Sequence, residues 1–487
     1  MTKTIKYLSI LAIMLLFAGC QKDEKNEIII EPPIVVEDIM PATELRGVWV
    51  ATTSNIDWPR GKFDAEGQKQ VYIEYLDKFV EANINAVYFQ IRPNADAFYN
   101  SPYESWSRWI TGTAGKDPGY DVLKFLIDEA HARNIEFHAW INPFRITTRS
   151  GSTATFPTLD PKINPDWIKD YATIRVYNPA LPEVQKRIVD IVDDIITKYD
   201  VDGIHMDDYF YPDIGNESLN DAEEFELYGA SYANVTAFRI GNVNKMVKDI
   251  SDVIIKKKPN VVFSVSPTSS LRYNLESLYA DVERWHDEGW LDVLIPQCYS
   301  AIGAITSATT FNRLVADWNQ YYNTNNVLMI GHYLSRVGDG TANAFTAQEI
   351  VDQYKIVRIH SDIKGSLLFS AKCFFDNGGS GINGVIDLIK SEVYPTPAVR
   401  PFVGRKTLPD PTPVANVAMN GSTLTWSAPS PSLMSVVYVL PTGATKAQVA
   451  AITSENSYKV SKRGKYFVTT VNRNNVQSAV SSMVAYE

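Results

Sequence analysis

The sequence predicts an α/β fold, a closed (β/α)8 TIM barrel followed by a small all-β sandwich, and three observations carry that reading. Eight short aliphatic or aromatic runs alternate with longer stretches whose apolar residues recur at helical spacing. Strands that are nearly continuously apolar belong to a parallel sheet covered on both faces, and eight such units favour closure into a barrel over an open doubly wound sheet. No Gly-rich phosphate fingerprint follows the first run, which also weighs against the open sheet. Beyond Pro395 the period changes to short alternating strands separated by turn residues, the pattern of a sandwich.

Length and composition set the frame. At 487 residues the chain exceeds one average domain, and 45% hydrophobic with 21% charged residues is the balance of a globular protein. A formal charge of -10 argues against nucleic acid as a partner, because phosphate binding wants clustered Lys and Arg. Ten Trp and 26 Tyr point elsewhere, since aromatic faces stack on sugar rings as well as filling cores. The three cysteines, Cys20, Cys298 and Cys373, fit neither a disulfide framework nor a zinc pattern.

Lys3 and Lys6 precede an apolar run from Leu8 to Phe17, and Ala18-Gly19-Cys20 follows. The run falls short of a membrane span and resembles a bacterial lipoprotein signal. That resemblance implies cleavage after residue 19 and a lipid on Cys20, which would tie the chain to a membrane. Residues 20–43 read as a charged, proline-containing tether. Lys22-Asp23-Glu24 resembles a surface-export signal, so the expected address is an outer-membrane lipoprotein facing the periplasm or the surface.

The barrel is expected over residues 44–395. Its strands are predicted at Gly47 to Thr53, Ala86 to Arg92, Glu136 to Pro143, Gly203 to Tyr211, Val261 to Pro267, Asp292 to Tyr299, Val327 to Leu334 and Gly365 to Lys372. Helical patterns lie between them, such as Val71 to Ala82, Tyr120 to Arg133, Pro182 to Tyr199 and Ala237 to Lys257. Six prolines from Pro395 to Pro413 mark a stiff linker, residues 396–411, and the sandwich follows at 412–487. It resembles a fibronectin type III-like module, with Tyr466 in Gly464-Lys465-Tyr466-Phe467-Val468.

Polar residues collect at the C-terminal ends of the predicted strands: Arg92 and Asn94, Asn142, Asp207 and Asp208, Gln297 and Tyr299, His332, and Lys372. In a barrel that is the catalytic face. Asp202 to Pro212 is the sharpest case, a β-branched run ending in two carboxylates among aromatic rings. Ionised carboxylates beside apolar walls are costly unless paired or used. Period two puts His205, Asp207 and Tyr209 on one face and Ile204, Met206 and Asp208 on the other, so the first set should face the pore and Asp208 should reach the cleft only through the turn at the strand end. The same alternation turns His138, Trp140 and Asn142 inward on the third strand.

Leu45-Arg46-Gly47-Val48-Trp49-Val50, Phe89-Gln90-Ile91-Arg92-Pro93, Ala139-Trp140-Ile141-Asn142-Pro143, Asp202 to Pro212 and Ile295-Pro296-Gln297-Cys298-Tyr299 together resemble the glycosyl hydrolase-like 10 family of bacterial envelope proteins. The resemblance implies hydrolysis of peptidoglycan glycan strands, preferentially peptide-free ones, without a cofactor. The Asp-Gly-Ile-His-Met-Asp element is also similar to the fourth-strand motif of the α-amylase superfamily, which maps the nucleophile onto Asp207. That superfamily's strand-five Glu is missing here, since Val265-Ser266-Pro267 stands in its place.

Glycoside hydrolysis needs two carboxyl groups, one to protonate the leaving oxygen and one to attack or to activate water. Asp207 suits the second role; Asp208, then Asp96, are the candidates for the acid. Arg92, Asn94, His138, Trp140, Asn142, His205, Tyr209, Gln297, Tyr299, His332 and Lys372 are expected to bind sugar hydroxyls or tune the acids. Two other readings stand beside this one. One is a metal-dependent hydrolase or deacetylase using His138, His205, Asp207 and Asp208; the other is a lipoprotein that binds glycan without cleaving it.

Overall fold

Eight parallel strands close into a barrel in the computed structural model, which describes residues 36–151, 153–215, 217–320, 327–375, 382–405, 407–430 and 433–487. The expected signal, Cys20 and the tether as far as residue 35 lie outside the described residues. The barrel strands are β1 (Leu45–Val50), β2 (Ala86–Arg92), β3 (Glu136–Ile141), β4 (Gly203–Met206), β5 (Val262–Val265), β6 (Val293–Leu294), β7 (Val327–His332) and β8 (Ile363–Phe369). Each pairs with the next, and β8 returns to β1 with Leu45 opposite Gly365.

Every expected run contributes a strand, but all except β2 end before the expected residue, and two end five residues early. β4 ends at Met206 rather than Tyr211, and β6 keeps only Val293–Leu294 of the run to Tyr299. At the mouth the chain leaves the ladder, so strict alternation no longer governs Asp208, Tyr209 or Tyr299.

Alternation sorts the side chains into two cores. Trp49, Tyr88, Trp140, Ile295, Met329 and Leu367 fill the pore, while Val48, Phe89, Phe137, Ala139, Ile204 and Met206 pack outward on helices. Those helices begin where the sequence offers a cap. Asp64 accepts from the Gly67 N–H at the start of Ala65–Glu81, and Asn234 accepts from the Ala237 N–H at the start of Val235–Lys257. Pro182 opens Pro182–Lys198, whose Val184, Ile188, Ile191 and Ile195 form one buried stripe.

His332 departs from expectation. Met329 faces the pore on β7, and Gly331 shares that row because a Cβ there would stand 2.9 Å from the Trp49 ring. His332 therefore points outward. Its Nδ1 lies 3.0 Å from Gln353 and its Nε2 3.1 Å from the Ser366 hydroxyl, with Tyr354 stacked on it at 4.5 Å. Lys372 likewise leaves the strand. It sits in a helical turn, Ala371–Phe374, where its backbone N–H donates to Asp57 at 2.9 Å.

The C-terminal sandwich has a three-stranded sheet (Ala415–Asn420, Thr423–Ser427, Ser457–Lys459) and a four-stranded one (Met434–Pro441, Gln448–Thr453, Gly464–Val471, Val484–Tyr486), both antiparallel. Leu424 and Trp426 of the first meet Val437, Val439 and Val468 of the second. The Tyr466 hydroxyl donates to the Lys462 carbonyl at 2.7 Å, the corner contact found in immunoglobulin-type sandwiches. This unit docks on the N-terminal end of the barrel. The Asn475 side-chain nitrogen lies 2.8 Å from Glu136, and Arg473 lies 2.7 Å from Asp200. It is thus remote from the mouth, which a small sheet of Arg145–Thr148, Ile168–Asp170 and Ile174–Tyr177 borders instead.

Candidate active site

Asp207 follows the last residue of β4 and is almost wholly buried. Asn142, just past β3, places its side-chain nitrogen 2.8 and 2.6 Å from the two Asp207 oxygens. The orientation of that amide is set from behind. The Gln90 oxygen accepts from the backbone N–H groups of Thr52 and Thr53 at 3.0 and 2.9 Å, which turns its NH2 toward the Asn142 oxygen at 2.6 Å. Asn142 can then offer Asp207 only its donor end. Gln90 was not expected here, although alternation with Tyr88 would have marked it as inward-facing.

Burial, then the neighbouring charge of Asp208, pushes the Asp207 carboxyl up to about 7, against the pull of Arg145, Asn142 and the Tyr209 N–H. Asp208 is only half-buried. Burial raises it too, while a hydrogen bond from Gln297 and the charge of Arg145 work the other way. Two adjacent acids that both resist ionisation can hold a proton between them near neutral pH. Arg145 is the second residue the sequence did not single out. Its Nε donates to the Pro93 carbonyl at 3.0 Å, and its guanidinium lies 4.2 Å above the exposed ring of Tyr209.

A cavity of about 650 Å³ opens among the loops after β1, β2 and β3. Asn94, Asp96, Trp106, Trp109 and Arg145 line it. This is the size of a ligand cleft. Burial raises Asp96 to about 6, its side chain bonds Ser107, and its Oδ1 is buried with no partner among the described residues.

Several expected contacts are displaced from the cleft. Arg92 is fully buried, with Nε and Nη2 at 2.7 and 2.5 Å from the Glu104 carboxylate and Nη1 on the Asn142 and Pro143 carbonyls. A register shift between Gln90 and Arg92 turns it out of the pore, so it braces the β2 and β3 ends rather than binding sugar. His205 does face the pore, but one layer below Asp207. Its Nε2 accepts from the Trp49 indole at 3.1 Å, so its proton sits on Nδ1, facing the Ser264 hydroxyl at 2.8 Å. Burial keeps it neutral, and neither nitrogen is left for a ligand.

His138 lies deeper, stacked on Tyr88 at 4.2 Å with Nε2 3.2 Å from Glu136. It borders a void of about 20 Å³, room for one water, at the end where the sandwich docks. The expected metal set of His138, His205, Asp207 and Asp208 is therefore not gathered in one place. Among the described residues no group of three or more His, Cys, Asp or Glu is placed to hold a metal ion.

Trp140 forms the floor beneath Asn142, with its indole N–H buried and unpartnered among the described residues. Tyr299 stacks on Tyr333 at 4.8 Å, and burial followed by the charge of Asp208 and then other neighbours, Asp207 among them, pushes its phenol upward. The structure thus brings Asp207, Asp208, Asn142, Gln297, Tyr209, Tyr299 and Trp140 to one mouth, beside the cleft that holds Asn94 and Asp96.

The family model described as glycosyl hydrolase-like 10 matches residues 44–347. The chain is 38% identical over 380 residues to glycosyl hydrolase YngK of Bacillus subtilis, covering 74% of this chain and 73% of the relative. It is 33% identical over 369 residues to glycosyl hydrolase DigH of Escherichia coli, covering 68% and 83%. Among solved structures, the PgaB (BpsB) glycoside hydrolase domain of Bordetella bronchiseptica aligns with TM-score 0.47 at 12% identity, over 73% of this chain and 99% of that domain.

Proposed function

The chain belongs to the glycosyl hydrolase-like 10 family and is a glycoside hydrolase, and from that premise we propose that it cleaves the glycan strands of peptidoglycan, preferring strands without stem peptides. The observation that carries the reading is Asp207: a buried carboxyl at the barrel mouth, held by Asn142 and raised to about 7 beside a second acid. Such a pair supplies what glycoside hydrolysis asks for, a proton for the leaving oxygen and a negative charge at the anomeric centre.

The cleft suits a sugar chain. Trp106 and Trp109 line it as surfaces for pyranose rings, and Arg108 stacks on Trp109 at 4.4 Å. A peptide-free strand exposes the lactyl carboxylate of each muramyl residue, and Arg108 and Arg145 are cations of the right kind to meet it. Asp96 remains the alternative acid, since it lines the same cavity. The lipid on Cys20 would hold the enzyme at the outer membrane, and the sandwich, read as a fibronectin type III-like brace, would support the closed end of the barrel.

The test is direct. Asp207→Asn should keep the circular dichroism spectrum of the parent and lose cleavage of peptide-free glycan strands; near-normal turnover would end the assignment. Binding of strands by the parent with no new reducing ends would leave only the non-catalytic reading.

A further inference from the structure

Building on the hydrolase reading above, we propose that the nucleophile is the substrate's own 2-acetamido carbonyl oxygen, with Asp208 as acid and base and Asp207 as the carboxylate that holds the acetamido N–H. The target is then a glycan whose sugar at the cleavage point carries a 2-acetamido group, and the product keeps its anomeric configuration.

The first argument is placement. Asp207 and Asp208 both follow the end of one strand and both feel the charge of Arg145, so their carboxyl groups approach a sugar at the mouth from one side. A double displacement through the protein needs acid and nucleophile on opposite sides of the anomeric carbon. The other strand ends offer little. β5 runs into Ser266-Pro267-Thr268, β6 into Gln297 and Tyr299, β7 into Tyr333, and β8 into Ser370 and Lys372. Asp57, after β1, is fully buried and already bonded by the Ala51 N–H, the Ser370 hydroxyl and the Lys372 N–H at 2.7, 2.8 and 2.9 Å. Glu104 is spent on Arg92. Among the described residues lining the cleft, Asp96 and Asp160 are the remaining carboxyls; Asp96 is tied to Ser107 in the cleft wall, and Asp160 accepts from the backbone N–H groups of Ser105 and Lys162 at 2.8 and 2.9 Å.

The second argument is how the pair is dressed. Asn142 faces both Asp207 oxygens at 2.8 and 2.6 Å, and the Tyr209 N–H reaches one of them at 3.3 Å. Donors on both oxygens favour an acceptor that stays a carboxylate and receives one further N–H; they disfavour an oxygen that must form a bond to carbon. Asp208 is the less enclosed of the two, as a group trading protons with a leaving alcohol and then with water should be. Below them Trp140 makes an aromatic floor for an acetamido methyl, with Trp49 in the layer beneath it. The Trp140 indole N–H, buried and unpartnered among the described residues, is a donor awaiting a sugar or amide oxygen.

The chemistry balances in two steps. In the first, the bond from the anomeric carbon to the glycosidic oxygen breaks with its electron pair on that oxygen, which takes the Asp208 proton. The acetamido oxygen bonds to the anomeric carbon and gives a cyclic oxazolinium whose N–H rests on Asp207. In the second, water attacks the anomeric carbon and passes a proton to Asp208 while the ring oxygen leaves, restoring the acetamide. Two inversions at one carbon give net retention.

The experiment uses the full chain, peptide-free glycan strands, and the same strands with the acetyl groups exchanged for trifluoroacetyl. A disaccharide thiazoline, the sulfur analogue of the cyclic intermediate, serves as inhibitor. Native strands should yield products of retained configuration, and the trifluoroacetyl strands should react at least roughly 100-fold more slowly, because an oriented internal nucleophile has been weakened. The thiazoline should compete with substrate; Asp208→Asn should still bind it and Asp207→Asn should not. Inverted products, equal rates on the two strands, or a glycosyl ester on Asp207 or Asp96 trapped by a 2-fluoro glycoside would each overturn the inference while leaving the hydrolase reading intact. No cleavage of native strands would overturn both.

Discussion

The Asn142 amide nitrogen stands 2.8 and 2.6 Å from the two carboxylate oxygens of Asp207, and Gln90 fixes which end of that amide faces the acid. Two strands that are neighbours of β4 or one removed thus set the charge of a residue at its end. This hydrogen bond lowers the Asp207 pKa against burial and the charge of Asp208.

Removing the donor should therefore shift the pH profile in a known direction. In Asn142→Ala the Asp207 pKa rises above about 7, so the ionised fraction at pH 6 falls and the acidic limb of kcat/KM moves to higher pH. A shift of about one unit means roughly tenfold less activity at pH 6 and a smaller loss at pH 8. Gln90→Leu should move the limb the same way by less. A uniform loss at all pH values would mean that Asn142 acts on substrate and not on Asp207.

Asp207 should also cost stability when ionised. Its folded pKa of about 7 lies above the ordinary 3.8, so between those values the folded chain keeps a proton that the unfolded chain has lost. The stability this gives is fully present below about pH 4, falls as pH rises, and is gone above about pH 7. Asp207→Asn carries no such charge. At pH 8 the variant should be more stable than the parent by on the order of 1–3 kcal/mol, and at pH 4 there should be no gain. Thermal melting at the two pH values measures the difference.

Much of this was legible in the sequence, and the failures have physical causes. Buried parallel strands are nearly continuous apolar runs, which made β1 to β8 visible, and period two told which side of β3 and β4 faces the pore. Alternation gives the face but not the depth, so it turns His138 inward without revealing that it sits at the closed end. A bulge is invisible to alternation, and the one after Gln90 took Arg92 out of the site. On β7 the inward position is Gly331, which makes room for Trp49, while the polar His332 beside it packs on Gln353 and Tyr354 of the covering helix.

Arg92 and Glu104 are a buried pair with no exposure on either side chain. Deleting one partner leaves a charge in the interior, so Glu104→Gln should destabilise the barrel by about 3–5 kcal/mol. Chemical denaturation should register the loss. If KM for peptide-free strands rises at temperatures where the variant is fully folded, Arg92 touches substrate after all.

Glu136 joins the barrel to the linker through Arg400 at 2.9 Å and to the sandwich through Asn475 at 2.8 Å. Burial opposes its ionisation, but Arg400, His138 and Asn475 hold its pKa down at about 2. The folded value lies below the ordinary 4.5, so this contribution is full above about pH 4.5 and is lost as pH falls toward about 2. Glu136→Gln should weaken the docking by about 1.5–3 kcal/mol, the worth of hydrogen bonds to a charged group. At pH 7 the parent should melt in one transition and the variant in two, with faster proteolysis in the linker of residues 396–411. Glycan cleavage at 25 °C should stay near the parent's rate, because the sandwich meets the barrel at the end opposite Asp207. A single transition in both proteins, or a variant without activity while folded, would place the coupling between the two units elsewhere than at Glu136.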